Sequence, residues 1–151
     1  MAIERIVSGG QAGVDRAALD TALELGISCG GWCPRGRRAE DGAIAPVYPL
    51  TETPSQLYVQ RTRWNVRDSD ATLILLRGAP EGGTLLTIRH AERVARPHWI
   101  VDLEGARRTV PVVLWLKSNS VAVLNIAGRR ESKNPGIYSL ARDFLRELLA
   151  S

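Results

Sequence analysis

VSGGQAGVDRAALDTAL, residues Val7 to Leu23, sets three glycines within five residues, between a short apolar run and a helical repeat. The preceding Ile3 to Val7 is mostly apolar, as a strand buried on both faces should be. Val14, Ala17, Ala18, Ala22 and Leu25 then recur at helical spacing, and Gly26 supplies a C-terminal stop. A strand that turns through Ser8-Gly9-Gly10-Gln11-Ala12-Gly13 directly into a helix is the opening unit of an α/β fold.

The same alternation continues along the chain. Ile27 to Trp32 reads as a second short strand, and ATLILL, Ala71 to Leu76, as a third, continuous in apolar residues. HWIVDL from His98 and VAVLNI from Val121 supply a fourth and a fifth. Helical spacing appears over Ser55 to Val66, Leu85 to about Val94, and Ile137 to Leu149. VPVVLWL, from Val110, is strand-like by propensity. Parallel strands need a crossover of a dozen or more residues, so a helix beginning near Pro111 is expected there. Cys33 to Pro54 holds four prolines and two glycines and reads as a long loop. A segment of that length without structure is often functional. The expected architecture is a Rossmann-like α/β sandwich of three layers, with a mostly parallel sheet of about five strands and helices on both faces.

A length of 151 residues fits one domain, residues 1–151. No apolar run approaches the roughly 20 residues of a membrane span, and MAIERIVSGG has no signal-peptide h-region. Cys29 and Cys33 have three residues between them, which matches neither a redox pair nor a zinc site, so reduced thiols in the cytoplasm are expected. The net charge is +4, and apart from Lys117 and Lys133 every such cation is arginine. Arginine's planar fork suits phosphate and carboxylate, although a coding bias would give the same composition. The arginines form no continuous run and aromatics are few, which disfavours a nucleic-acid surface.

In a right-handed parallel sheet all strand-to-helix turns leave from one rim. Three of those turns are rich in glycine: Ser8 to Gly13, Gly78 to Thr84 and Ala127 to Gly136. Each opens a helix whose first N–H groups and dipole attract an anion. Neither G-x-G-x-x-G with a following acid nor a Walker phosphate loop is present, so the turns point to an anion without specifying a dinucleotide.

SGGQAGVDRAALDTALELG, GGWCPRGRRAEDG, RTRWNVRDSDATLIL, GGT and LNIAGRRESKNPGIY together resemble the molybdenum-carrier family, the circularly permuted YpsA-type branch of the SLOG superfamily. The resemblance runs nearly end to end. It implies a Rossmann-like domain that binds a nucleotide, a nucleotide-derived cofactor such as molybdenum cofactor, or an oxyanion, and that self-associates as a dimer or tetramer. It places ligand contacts at Gly9, Gly10, Gln11, Gly13 and Asp15, at Gly83 and Thr84, and at Gly128, Glu131 and Ser132. Two positions depart from the family pattern. Arg129 stands where the family usually has proline, and Thr87 stands where nucleotide-cleaving SLOG enzymes carry a glutamate.

Several side chains keep two readings. Asp15 either complements the dipole of the first helix or contacts a ligand hydroxyl or metal. Arg35, Arg37 and Arg38, with Glu40 and Asp41, are either a lid over an anion or a solvated turn. Arg61 is a clamp candidate, and Trp64 fits the core better than a stacking platform. Glu131 and Ser132 either cap the last helix or bind sugar hydroxyls, while Arg129, Arg130 and Lys133 would offset phosphate charge. Binding of a phosphorylated small molecule is the leading function. A hydrolase using Asp15 or Glu131, with Mg²⁺ held against phosphate, is the first alternative. A basic interaction module for RNA or protein is the second.

Overall fold

The computed structural model describes residues 3–105 and 107–150. In chain order the elements are β1 (Arg5–Val7), α1 (Val14–Leu25), β2 (Ser28–Gly30), β3 (Trp32–Cys33), β4 (Arg38–Ala39), β5 (Gly42–Ala43) and β6 (Thr51–Glu52), followed by α2 (Tyr58–Arg67), β7 (Ala71–Leu76), α3 (Gly82–Arg93), β8 (His98–Asp102), α4 (Val110–Ser118), β9 (Val123–Gly128) and α5 (Ile137–Leu149). Five of these strands form a parallel sheet in the order β2-β1-β9-β7-β8. The chain is therefore an α/β sandwich of the Rossmann-like kind. No helix of the described residues is long and apolar enough to cross a membrane.

Alternation along β7 shows why both faces are covered. Leu73 and Leu75 join the large cluster with α1 and α5, while Ile74 and Leu76 pack with Ile88 of α3. All four are fully or almost fully buried, as the continuous ATLILL run requires of a central parallel strand. Right-handed crossovers then put α1 and α4 on one face and α2 and α3 on the other. α5 joins the first group, packing on α1 through Ile137, Ala141, Phe144, Leu145 and Leu148. Small residues on α1, Ala17, Ala18 and Ala22, let it sit close to both the sheet and α5. Truncating a side chain such as Phe144 in this layer would cost about 3–5 kcal/mol.

The segment after β2 differs from the expected structureless loop. β3 pairs with β6 in parallel and β4 with β5 antiparallel, around a small cluster of Cys33, Ala39 and Ile44. Arg37 holds the segment together, its guanidinium donating to the carbonyls of Ile44, Ala45, Tyr48 and Leu50. Tyr48 and Tyr138 both donate to the carboxylate of Asp20, which anchors the segment to α1 and α5. Arg16 forms a two-pronged pair with Asp41 at 3.0 Å. The local sequence hid this structure because side-chain bonds to carbonyls, rather than a periodic pattern, stabilise it.

Candidate functional site

Sheet order brings the glycine-rich turns together. β1, β9 and β7 are neighbours, so the turns that follow them share the carboxyl edge of the sheet centre. They surround a hollow of about 560 Å³ whose fourth wall is the start of α2. Gln11 comes from the first turn and Asp15 from the start of α1 behind it, Gly83 and Thr84 from the second turn, and Gly128, Arg129, Arg130 and Lys133 from the third. Tyr58 and Arg61 come from α2.

The three turns do not expose their amides equally. In the first, Gly10 N–H donates to Ser8 Oγ, Gln11 N–H to Asp15 Oδ2, and Val14 N–H to the Arg129 carbonyl. At the third, the Gly136 and Tyr138 amides donate to the Glu131 carboxylate, which thereby caps α5. Of the three helices that these turns open, α3 is the one whose first turn has no such partner among the described residues. No side chain caps it, and Gly82, Gly83 and Thr84 line the hollow. Its first N–H groups and the positive end of its dipole are therefore available to an anion. This refines the expectation that all three helices would contribute.

Charge in the hollow is mostly positive, with Arg61, Arg129, Arg130 and Lys133 against Asp15 and Glu81. Arg129, 9% exposed, donates to Glu81 Oε1 at 2.8 Å and to the Ala79 carbonyl at 2.6 Å. The residue that departs from the family proline thus ties the third turn to the second. Three guanidinium groups surround the Tyr58 ring, with Arg130 at 4.2 Å, Arg38 at 5.2 Å and Arg61 at 5.7 Å from its centroid. Such contacts hold cations in place without neutralising them.

Arg61 and Asp15 form a buried pair at 3.2 Å, their side chains 14% and 5% exposed. Burial pushes the Asp15 carboxyl up, against the Arg61 charge that pulls it down. Burial likewise pushes the Arg61 guanidinium down, against the Asp15 charge. Both shifts record desolvation that the ion pair, together with the Gln11 N–H bonded to Asp15, does not fully offset. Gly9 makes the approach of Arg61 possible, because a Cβ there would lie 2.1 Å from Arg61 Nη1. Gly13 holds φ +98° and touches the third turn, where a Cβ would lie 2.4 Å from the Arg129 carbonyl oxygen.

Of the expected contacts, Gln11, Asp15, Arg61, Gly83, Thr84, Gly128 and Arg130 line the hollow. Gly9 lines a niche of about 10 Å³ behind Asp15 and Arg61. Gly10 packs under Leu50 and Ile44, and Gly13 is spent on the contact between turns. Arg35 is exposed and outside the hollow. Glu131 caps α5, and exposed Ser132 bonds Glu40 through both its amide and its hydroxyl. Trp64 lies edge-on to Trp32 at 4.8 Å, away from the hollow. Tyr58, Thr62 and Thr87 are lining residues that the sequence reading did not single out as contacts. A signal existed, since Tyr58, Arg61, Thr62 and Asn65 fall on one face of α2 at i, i+3, i+4 and i+7.

Comparison with known proteins fits this architecture. A crystal structure of a "Putative molybdenum carrier protein" from Syntrophus aciditrophicus SB superimposes with a TM-score of 0.94 at 44% sequence identity, covering 98% of this chain and 96% of that one. No curated protein matches the chain. The model of the circularly permutated YpsA SLOG family matches residues 6–149, and on that match the chain belongs to this family.

Proposed function

We propose that this chain binds a small anionic ligand, a nucleotide, a nucleotide-derived cofactor or an oxyanion, with its negative end at the start of α3. The observation that carries the reading is the uncapped α3 N-terminus opening into a hollow that four cationic side chains line. A volume of about 560 Å³ lies within the range of roughly 300–1,000 Å³ typical of small-molecule sites. Among the described residues no three His, Cys, Asp or Glu side chains gather as a metal-binding group. A molybdenum cargo, the kind named for the Syntrophus protein, would therefore be held here as an oxyanion or through an organic phosphate, by arginine and amide donors. Hydrolysis through Glu131 has less support, because both of its oxygens are engaged by amides at the start of α5.

Thermal unfolding with inorganic phosphate, molybdate and adenosine monophosphate tests the proposal. A ligand at a hundred times its Kd adds about 2.7 kcal/mol. At roughly 2–4 °C per kcal/mol for a chain of this size, the midpoint should rise by about 5–10 °C. Replacing Arg130 and Lys133 together by serine should remove the shift. If none of the three anions moves the midpoint, the reading fails.

A further inference from the structure

Unmet hydrogen-bonding capacity inside the hollow is of both kinds: Arg61 Nε and Arg129 Nε are buried donors without a partner among the described residues, and Gln11 supplies an acceptor. The Gln11 side chain is 2% exposed, and its Nε2 donates to the Arg38 carbonyl at 2.9 Å. That carbonyl can only accept, so the amide orientation is fixed and Oε1 is the acceptor left over. It has no partner among the described residues. Asp15 presents a similar case one helical turn away. Both donors to its carboxylate, Gln11 N–H and Arg61 Nη1, fall on Oδ2, which leaves Oδ1 without a donor among the described residues. Both acceptors line the same hollow as Arg129, Lys133 and the open start of α3, with Arg61 and Arg130 close to Asp15. Between Asp15, Thr62, Thr87 and Asn125 lies the niche of about 10 Å³, room for a single oxygen atom.

A tetrahedral oxyanion without protons, such as molybdate, answers only half of this arrangement. It would satisfy the guanidinium groups and amides and would present lone pairs, not protons, to Gln11 Oε1 and Asp15 Oδ1. Buried acceptors left without donors cost stability of the complex.

Resting on the anion-site reading above, we propose that Gln11 and Asp15 form a donor-reading subsite, and that the ligand is an organic phosphate bearing hydroxyl groups, such as a sugar phosphate or the ribose phosphate of a nucleotide. The phosphate lies against α3, Arg129, Arg130 and Lys133, and the hydroxyl protons point at Gln11 Oε1 and Asp15 Oδ1.

Calorimetric titration of the wild-type chain with glycerol 3-phosphate, propyl phosphate, inorganic phosphate and molybdate, in the presence of a chelator, decides the matter. Glycerol 3-phosphate and propyl phosphate have the same carbon skeleton and differ in hydroxyls. Glycerol 3-phosphate should bind roughly ten- to a hundredfold more tightly, the value of a hydrogen bond to a charged acceptor. The ratio should collapse in Asp15→Asn and in Gln11→Met, each verified as folded by circular dichroism. In Asp15→Asn, inorganic phosphate should bind more tightly, because a negative charge has left the hollow. Equal affinities of the two organic phosphates for the wild type would overturn the subsite while leaving the anion site standing. So would a ratio that survives in both variants, or a preference that appears only with added Mg²⁺, which would put a cation between the acceptors and the phosphate. Absence of binding by every anion would overturn the anion site itself.

Discussion

Gly13→Ala probes the join between the first and third turns. The backbone at Gly13 holds φ +98° and ψ −128°, a conformation that costs an alanine about 1–3 kcal/mol. Its new Cβ would also sit 2.4 Å from the Arg129 carbonyl oxygen and 2.7 Å from the Glu131 nitrogen, both backbone atoms with little freedom to retreat. Those atoms make the bonds that join the turns, Val14 N–H to the Arg129 carbonyl at 3.1 Å and Glu131 N–H to the Ala12 carbonyl at 3.3 Å. Each is worth about 0.5–1.5 kcal/mol. Alanine recovers roughly 0.4–1 kcal/mol by restricting the unfolded chain. The net expectation is a loss of about 3 kcal/mol, a drop of roughly 6–12 °C in Tm. Gly26→Ala separates the two causes, because Gly26 also has positive φ, +71°, but no atom within 4 Å of a built Cβ. Urea unfolding followed by circular dichroism should show Gly26→Ala losing only the strain, about 1 kcal/mol, with the slope m unchanged in both variants. If Gly13→Ala loses no more than Gly26→Ala, backbone contact does not hold these turns together and the reasoning is wrong.

Other residues give separate checks. In Gly9→Ala the added methyl should push the flexible Arg61 guanidinium off Asp15, weakening phosphate affinity in calorimetry while costing less stability than Gly13→Ala. Glu131→Ala should lower stability by about 0.5–2 kcal/mol in urea unfolding, through loss of the α5 cap, with phosphate affinity retained. Retained stability together with lost binding would instead make Glu131 a ligand contact. Tyr48 is pushed up to about 12 by burial and then by the Asp20 carboxylate that its hydroxyl faces. An unfolded tyrosine ionises near pH 10, so between pH 10 and 12 the unfolded chain has lost a proton the folded one keeps, and stability must fall as pH rises through that window. Phenolate absorbance should show this late titration, and Asp20→Asn should bring it down toward 10.

The architecture was legible because its signals are local and periodic. ATLILL could only be a doubly buried strand, and the crossover requirement correctly made VPVVLWL the helix α4 despite its strand propensity. The strand expected from Ile27 to Trp32 instead splits into β2 and β3, which belong to different sheets. The hollow was legible in outline, since glycine-rich turns after parallel strands must share a rim. Amide usage was not legible, because capping depends on partners distant in sequence. Ser8, Asp15 and the Arg129 carbonyl absorb the first turn's donors, and Glu131 absorbs those of α5. Arg37 illustrates the same limit. Its sequence context suggested a cation over a ligand, whereas its fork is consumed by four carbonyls of its own segment.

Strand β9 lies at the middle of the five-stranded sheet, yet it follows the other four along the chain. β1 with β2, and β7 with β8, are two ribbons that share no ladder until β9 slots between them. During synthesis from the N-terminus, the greasy flanks of both ribbons must wait for this keystone, and such long-range closure is slow. The hollow is thus finished in the same late step that zips the sheet shut, so a chain cut short before Val123 would forfeit the sheet's centre and the pocket at one stroke.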